Sequence, residues 1–364
     1  MKVAMIYPSQ DSEKAISNYC IHLIKAMKSQ GLQVDSLTYE MGNPFSFFKI
    51  IKKLKKYDIL HLQHEYGLFG YYGMPFFFIL PFLKMAKKKI LITTMHTAMS
   101  HKEKINENKV KNFLRNLIYF LQNRLINYSS DLTIVHADFF KGILVKEYGF
   151  KKSKVEILPH GIIENVKTLD KPKARKELNI KGNTYLIIGN LQPVNGSDII
   201  LKQADKIGKT IIVATNPKSV NIKSIKKAGS YINILQNIVK NNAHPKYVRF
   251  DLKEIPYELW WKYFSAADLI LLPYRGGIGS GIFSDAMALK KPVVASNIPY
   301  FRWIAKEYGC VKIARKDSDF PETIKDAMKK QNYAKMESEC KKYFNERGLT
   351  PVSKRYVKIY KSLI

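Results

Sequence analysis

Short apolar runs alternate along the chain with longer segments in which apolar residues recur every three or four positions. The short runs are typical of buried strands, and the longer period is typical of amphipathic helices. In the first half of the chain the pattern predicts strands at residues 2–7, 34–39, 58–63, 89–95, 131–135 and 155–158. It predicts helices at residues 14–29, 109–127 and 137–148. Such alternation implies right-handed crossovers and a parallel sheet with helices on both faces.

A second α/β series follows a polar, lysine-rich break at residues 162–182. It predicts strands at residues 185–188, 210–214, 247–250 and 269–272, and helices at 256–266, 281–289, 301–307, 321–330 and 336–344. A chain of 364 residues is long for one core and fits two domains. We place these domains at residues 1–165 and 166–345. We expect residues 346–364 to form a helix that packs back on the first domain.

The stretch at residues 271–296 reads LLPYRGGIGSGIFSDAMALKKPVVAS and predicts a strand, a glycine-rich loop, a helix and a second strand. Four glycines in six residues exceed what a connection needs and let a ligand approach the backbone. Backbone N–H groups and the positive end of the helix can then face an anion. Asp285 follows about one helical turn later, where its carboxylate can accept hydrogen bonds from ribose hydroxyls. The spacing fits neither G-x-G-x-x-G nor a P-loop.

Polar residues follow the predicted strands of the first domain in a regular way. Ligands of parallel sheets bind at the carboxyl ends of the strands, so these residues share one edge of the sheet. Any one histidine there is more often structural, but four at equivalent strand ends favour a shared site. They are Gln10 after the first strand, His64, Glu65 and Tyr66 after the third, His96 and Thr97 after the fourth, His136 after the fifth, and His160 after the last.

These motifs resemble the retaining glycosyltransferases of family 4. The family signature is a proline after the strand, a glutamate, a glycine-containing loop, and a second glutamate eight positions after the first that is followed by Ala-Met-Ala. Pro273 and residues 285–288 are similar to it, with aspartate for the second glutamate, and Gly277 stands where the first is expected. Three further stretches resemble turns of the family's N-terminal domain: 63–67 (QHEYG), 93–97 (TTMHT) and 158–161 (LPHG).

The resemblance implies the GT-B fold, an α/β architecture of two Rossmann-like, doubly wound parallel-sheet domains that face each other across a cleft. It also implies transfer of a sugar from a UDP- or GDP-sugar to an acceptor hydroxyl with retention, without a cofactor or a bound metal. By the same resemblance His96 contacts the reacting sugar as a catalytic residue, with Glu65 and His64, while Gln10, Tyr66, Thr97 and His136 lie on the acceptor side. The implied donor-binding residues are Gly189, Asn190, Asn195, Lys218, Arg275, Gly277, Ile278, Gly279, Ser280, Gly281 and Asp285.

The sequence departs from the family at three donor positions. Asn190 and Asn195 stand where the family has an arginine and a lysine that grip the diphosphate, and Gly277 replaces a glutamate. Charged hydrogen bonds to the diphosphate are about twice as strong as neutral ones, so their loss requires a replacement. Either Arg275 and Lys218 supply the positive charge, or the protein is a catalytically silent GT-B carbohydrate- or nucleotide-binding protein.

The chain carries 61 basic and 30 acidic residues, a formal charge of +31 that attracts acidic partners. Nucleotide sugars, lipid phosphates, anionic membranes and nucleic acids all qualify, and a generally lysine-rich composition is the alternative. No zinc-finger or RNP-type motif is present, so a nucleic-acid partner is not expected. Three widely spaced cysteines and the absence of a signal-peptide pattern favour a cytoplasmic protein. The uncharged residues 66–83 hold three glycines and two prolines, which argues against a membrane span.

We predict that the first domain rests on an anionic membrane and takes a glycan or lipid-linked acceptor there. Residues 45–56 combine aromatic and aliphatic side chains with lysines at helical spacing, as an interfacial helix does. The apolar members are Phe45, Phe47, Phe48, Ile51 and Leu54, and the basic ones are Lys49, Lys52, Lys53, Lys55 and Lys56. Phe76, Phe77, Phe78 and Phe82, followed by Lys84 and Lys87 to Lys89, extend this surface. In the alternative, the aromatic residues pack under the sheet and the lysines are solvated.

Overall fold

The computed structural model divides the chain into two units, Met1–Gly161 with Leu349–Ile364, and Ile162–Gly348. The sequence predicted boundaries after residues 165 and 345, and the structure divides the chain after residues 161 and 348. The structure describes every residue except 12–13, 44, 69–76, 78, 87, 102–108, 216–221, 242–244 and 278. Each unit holds a six-stranded sheet whose strand pairs are all parallel. The predicted fold class of two Rossmann-like α/β domains is confirmed.

The first unit has the strand order β2-β1-β3-β4-β5-β6. Its strands are β1 (Lys2–Pro8), β2 (Gln33–Tyr39), β3 (Ile59–His64), β4 (Ile90–Met95), β5 (Leu132–Val135) and β6 (Val155–Ile157). Its helices are α1 (Lys14–Lys28), α2 (Ser46–Ile51), α3 (Leu80–Ala86), α4 (Lys109–Ser129) and α5 (Asp138–Tyr148). The short helix α2 lies within residues 45–56, where the helical spacing predicts an interfacial helix, but it spans only six residues.

The pairing register aligns the carboxyl ends of the strands in the first unit. His64 pairs with Met95, Met95 with Val135, and Val135 with Ile157. The next residue after β4 continues this edge, because the N–H of His96 donates to the carbonyl of His64 over 3.0 Å. The register therefore brings the residues that follow β3, β4, β5 and β6 to one edge of the sheet.

The second unit has the strand order β12-β11-β10-β7-β8-β9. Its strands are β7 (Thr184–Ile188), β8 (Thr210–Thr215), β9 (Val248–Leu252), β10 (Leu269–Leu272), β11 (Val293–Ser296) and β12 (Val311–Ala314). Its helices are α6 (Lys171–Glu177), α7 (Ser197–Leu201), α8 (Ala204–Ile207), α9 (Ile222–Lys240), α10 (Tyr257–Ala266), α11 (Gly281–Ala288), α12 (Pro299–Glu307), α13 (Phe320–Ala327) and α14 (Lys330–Arg347). Strand β12 and helix α9 were not predicted. Lys312 interrupts the apolar run of β12, whereas the equally short β10 is apolar throughout.

The last helix, α15 (Leu349–Ser362), belongs to the first unit and packs against α1. Its Tyr356 and Tyr360 side chains are fully buried. The Tyr360 hydroxyl lies 2.5 Å from Nδ1 of His61 in β3, so the end of the chain is hydrogen-bonded to the core of the first sheet.

Candidate active site

Three histidines form a cluster with Tyr19 of α1 at the carboxyl edge of the first sheet. The ring centroids of His96 and His136 lie 5.0 Å apart, and that of His160 lies 5.9 Å from His96 and 5.1 Å from His136. The Tyr19 ring stacks on His160 at 3.9 Å and meets His96 edge-on at 5.6 Å. Three of the four strand-end histidines thus contact one another, and we call this group the histidine cluster.

The histidine cluster is electrically neutral at physiological pH. Burial lowers the pKa of His96 well below its ordinary value, and neighbouring His136 and His160 lower it further. Burial also lowers the pKa of His136 to about 4 and that of His160 to about 3. Neutral imidazoles offer one N–H donor and one lone pair each, so the cluster recognises hydroxyl groups better than it binds anions.

A glutamine fixes the tautomer of His96. Nε2 of His96 lies 2.9 Å from Oε1 of Gln63, and an amide oxygen can only accept, so Nε2 carries the proton. The Gln63 amide nitrogen lies 3.1 Å from Nε2 of His61, which holds the amide in this orientation. Nδ1 of His96 therefore has a lone pair that can accept a hydrogen bond from a sugar or acceptor hydroxyl.

His136 offers a second lone pair. Its Nδ1–H donates to the carbonyl of Leu158 over 2.9 Å, which leaves the lone pair on Nε2. Nε2 is buried and has no hydrogen-bond partner among the residues that the structure describes. A buried polar atom of this kind calls for a partner from a ligand or from water.

The other predicted residues of the first domain lie around the cluster or apart from it. Half-buried Thr97 donates to Oε2 of Glu65 over 2.5 Å. His64 and Tyr66 are buried and point to α4, where His64 meets Gln122 at 3.0 Å and Tyr66 donates to Asn123 over 2.9 Å. Gln10 is exposed and donates to Asn18 over 2.8 Å. The hydrogen bonds of His64 and Tyr66 therefore go to α4, and that of Gln10 goes to α1.

In the second unit the glycine-rich loop leads into α11 with open backbone. The Ser280 hydroxyl caps the helix by accepting the N–H of Phe283 over 3.1 Å. A Cβ added at Gly279 or Gly281 would meet no atom within 4 Å, so the backbone there faces open space. The first N–H groups of a helix have no partner within it, and an anion can bind them. Gly277 has a φ of +144°, a conformation that other residues rarely adopt.

Asp285 occupies a desolvated position on α11. Its Oδ2 accepts the indole N–H of Trp260 over 3.1 Å. Burial raises the pKa of Asp285 to about 7, and this hydrogen bond opposes the rise. The carboxyl therefore titrates close to neutral pH, so its capacity to accept hydrogen bonds depends on pH in the physiological range.

The turn after β7 packs directly against the glycine-rich loop. Gly189 has a φ of +110°, and a Cβ there would lie 3.0 Å from the Ile282 side chain. Gly196 has a φ of +66°, and a Cβ there would lie 1.9 Å from the Pro273 carbonyl oxygen, so only glycine fits. Asn190 is exposed. Oδ1 of Asn195 accepts the N–H of Gln192 over 3.2 Å, so this side chain caps its own turn.

Arg275 ties the same turn to the loop through an ion pair that the sequence did not indicate. Its guanidinium donates twice to the carboxylate of Asp198, at 2.8 Å each, and once to the Pro193 carbonyl over 2.6 Å. Tyr231 also donates to Asp198 over 2.5 Å. Burial disfavours the Asp198 carboxylate, but the bonds from Arg275 and Tyr231 outweigh it and lower its pKa to about 2. Lys218 and Ile278, the remaining predicted donor residues, lie outside the described residues.

Comparison with known proteins finds a family match for part of the chain. Residues 36–165 match the model of Glycosyltransferase Family 4. The resemblance to glycosyltransferase family 4 is confirmed. The match covers most of the first unit, including the strands that carry Gln63, His96 and His136. No curated protein sequence matches the chain.

Solved glycosyltransferase structures share the GT-B fold over the whole chain. A sucrose-phosphate synthase from Thermosynechococcus elongatus has a TM-score of 0.76 at 14% identity, with 100% of this chain and 99% of that one covered. Anabaena HepE in complex with UDP has a TM-score of 0.72 at 14% identity, with both chains covered in full. WaaG, a glycosyltransferase involved in lipopolysaccharide biosynthesis, has a TM-score of 0.63 at 14% identity, with 98% and 99% covered. At this identity the likeness shows the fold.

Sequence reasoning missed several residues that build the candidate site. Tyr19 was predicted only as part of the buried face of α1. Trp260 and Asp198 gave no sequence signal, because each acts on a residue that is distant in the chain. Within the described part of the chain, no group of three or more His, Cys, Asp or Glu side chains is arranged to hold a metal ion.

Proposed function

We propose that the protein is a retaining glycosyltransferase that moves a sugar from a UDP- or GDP-sugar to an acceptor hydroxyl without a metal. The observation that carries this proposal is the pair of oriented lone pairs on half-buried His96 and buried His136, held by Gln63 and Leu158 at the carboxyl edge of the sheet that matches the family. Neutral acceptors at fixed positions suit hydroxyl recognition. The known structures with UDP support the donor class.

The donor diphosphate binds at the start of α11 in this proposal. Negative charge develops on the diphosphate as the bond to the anomeric carbon breaks, and preorganised N–H groups stabilise it. The open backbone at Gly279 and Gly281 supplies those groups. Asp285 accepts hydrogen bonds from the ribose hydroxyls, and Arg275 adds positive charge beside the loop.

His96 acts at the sugar through Nδ1. A neutral imidazole with a lone pair there accepts a hydrogen bond from a hydroxyl of the sugar or of the acceptor and so orients it. Thr97 and Glu65, which are joined by their own hydrogen bond, lie next to the cluster on the acceptor side.

The acceptor is a glycan or a lipid-linked molecule at the cytoplasmic face of a membrane. Support comes from the described part of 45–56, where Phe45 and Phe48 are exposed next to solvated lysines. The sequence prediction was too broad here, because Phe47, Leu54 and Phe82 are buried and pack under the sheet. Phe76 and Phe78 lie outside the described residues. No described helix is long and apolar enough to span a bilayer, so the proposal is peripheral attachment.

A catalytically silent binding protein is the second candidate, and one observation favours it. Asn195 uses its side chain to cap its own turn, and Arg275 is engaged by Asp198, so two polar groups expected at the diphosphate are bonded to protein. Such a protein would bind a nucleotide or sugar without transfer.

Calorimetry followed by a transfer assay separates these functions. The full-length protein is titrated with UDP, GDP and their sugars, and donor consumption is then followed with membrane extracts as the acceptor source. Binding with donor consumption supports the enzyme, and binding without consumption by any extract supports the silent binder. A salt-sensitive shift of nucleic acid with no nucleotide-sugar binding would reject both.

A further inference from the structure

Helix α4 presents an apolar stripe to solvent along its whole length. The stripe follows the helical period, and two of its central members, Phe113 and Leu114, are 67% and 51% exposed. Its apolar members are Val110, Phe113, Leu114, Leu117, Phe120 and Leu121, and Tyr128 extends it by two further turns. A contiguous exposed apolar surface of this kind marks an interaction site.

The opposite face of α4 is hydrogen-bonded to the turn at residues 64–66, at the end of β3. Gln122 and Asn123 are buried and bond to His64 and Tyr66. The ring of Tyr119 stacks on that of Tyr66 at 4.2 Å. The exposed stripe therefore lies on the solvent side of α4, whose buried side supports the turn at residues 64–66. Glu65 in this turn accepts a hydrogen bond from Thr97.

Neighbouring helices extend the stripe into a surface. Right-handed crossovers in the order β2-β1-β3-β4-β5 place α2, α3 and α4 on one face of the sheet. Helix α3 packs beside α4, and the Phe47 ring of α2 lies 6.2 Å from the Phe82 ring of α3. Exposed apolar residues occur on these helices and just before them as well: Phe45, Phe48, Leu80 and Met85.

The charge carried by α2, α3 and α4 is of one sign. The segments 45–56, 79–89 and 109–129 contain no aspartate or glutamate, and lysines or arginines occur in each. A second copy of a chain with a charge of +31 would be repelled by the net charge. An anionic bilayer offers both an apolar interior for the stripe and negative headgroups for its basic flanks.

We propose that α4 lies in the interface of an anionic bilayer, with α2 and α3 beside it, and that its stripe of Val110 to Leu121 enters the headgroup region. The proposal rests on the proposed function in one respect: only if the protein is a glycosyltransferase would this membrane contact bring a membrane-borne acceptor to the turn at Glu65. It differs from the sequence prediction by making α4, rather than residues 45–56, the main contact.

Cosedimentation with vesicles tests the stripe by a matched pair of variants. Leu114→Glu places a charge in the stripe, and Ile234→Glu does the same on α9, where Ile234 is 49% exposed. At low salt the unmodified protein should bind phosphatidylglycerol-containing vesicles more tightly than phosphatidylcholine vesicles. Leu114→Glu should weaken this binding about tenfold, and Ile234→Glu should not. Failure of the unmodified protein to bind, or equal loss in both variants, overturns the proposal.

Tryptophan fluorescence tests the depth of the contact. The three native tryptophans, Trp260, Trp261 and Trp303, all belong to the second unit. Leu117→Trp should therefore add a signal that brominated lipids quench, whereas Ile234→Trp should add one that they do not quench. Equal quenching of the two variants overturns the proposal, as does a change in molecular mass on Leu114→Glu without any vesicle binding, which would indicate a second copy.

The outcome is independent of the proposed enzymatic function. If nucleotide-sugar binding by calorimetry is intact and the vesicles are not bound, the bilayer contact alone is refuted. If the vesicles are bound through α4 and no nucleotide sugar binds, the proposed function fails and the bilayer contact stands.

Discussion

The two Rossmann-like domains differ in which groups they present at the carboxyl edges of their sheets. The first uses side chains, a histidine cluster that burial keeps neutral and that Gln63 and Leu158 orient. The second uses backbone, with glycines at Gly189, Gly196 and Gly277 in positive-φ conformations and an open helix start at Gly281. Oriented lone pairs suit hydroxyl groups, and open N–H groups suit phosphates, so under the proposed function the first domain would bind the acceptor and the second the donor.

The two domains also differ in the charge of the groups at these edges. In the first domain the lone pairs face no charged residue of the cluster, since all three histidines are neutral. In the second domain, beside the glycine-rich loop, one cation is ion-paired and burial disfavours the ionisation of one carboxyl group. Arg275 is bonded to Asp198, and burial raises the pKa of Asp285 to about 7. Changes to the first domain should therefore affect turnover, and changes to the second should affect donor binding and its pH dependence.

The largest expected effect is on turnover, from His96→Ala. Loss of an oriented hydrogen-bond acceptor at the reacting sugar should lower kcat about a hundredfold or more and leave the affinity for UDP nearly unchanged. The measurement is steady-state transfer together with calorimetry. His22→Ala, a histidine on α1 outside the cluster, is the control. If His96→Ala lowers only thermal stability, the residue is structural and the contrast between the domains fails.

Asp285 should show the next largest effect, on donor affinity. Asp285→Ala should weaken nucleotide-sugar binding by about 1–3 kcal/mol, because hydrogen bonds to a charged acceptor are lost. In the unmodified protein the affinity should rise as pH increases through about 7, where the carboxyl ionises. Calorimetry across this pH range checks both points, and an affinity for UDP that does not change with pH would contradict the ribose role.

The raised pKa of Asp285 also predicts that folding stability falls as pH rises, whereas donor affinity rises. The folded state holds the Asp285 proton more tightly than the unfolded state, so this group makes folding less favourable as pH rises from about 4 to about 7. Asp285→Asn should remove that penalty. Its melting temperature relative to the unmodified protein should increase over this range and then stay level, while its donor affinity falls.

Local patterns predicted every strand except β12, as well as the strand-end histidines and the glycine-rich loop, because each depends on residues that are close in sequence. Partners that are distant in sequence could not be predicted. Arg275 meets Asp198 across 77 positions, and the amide of Gln63 meets His96 across 33. The helix at α4 was predicted, but its exposed stripe was not, since apolar residues occur on both faces and the sequence does not show which face covers the sheet.

The ion pair of Arg275 and Asp198 should affect donor binding more moderately. Arg275→Ala removes both a cation and a tie between the β7 turn and the glycine-rich loop, so UDP binding should fall whichever role dominates. Asp198→Asn separates the roles. Since Arg275 would lose its two-bond anchor, we expect UDP binding to weaken about tenfold. Calorimetry that shows unchanged or tighter binding for Asp198→Asn would instead mean that Arg275 grips the diphosphate directly once released.

The smallest effect is expected at Asn195, where the family places a lysine. Asn195→Lys removes the acceptor for the Gln192 N–H, which should cost about 0.5–2 kcal/mol of stability, as loss of a capping residue does. The new cation should leave UDP affinity unchanged or improve it severalfold. Val194→Lys is the matched control, because Val194 is exposed and its side chain caps nothing, so a cation is added without loss of the cap. If both variants bind UDP tenfold more weakly, the pocket beside this turn does not receive a diphosphate. The donor chemistry of the second domain would then rest on α11 alone.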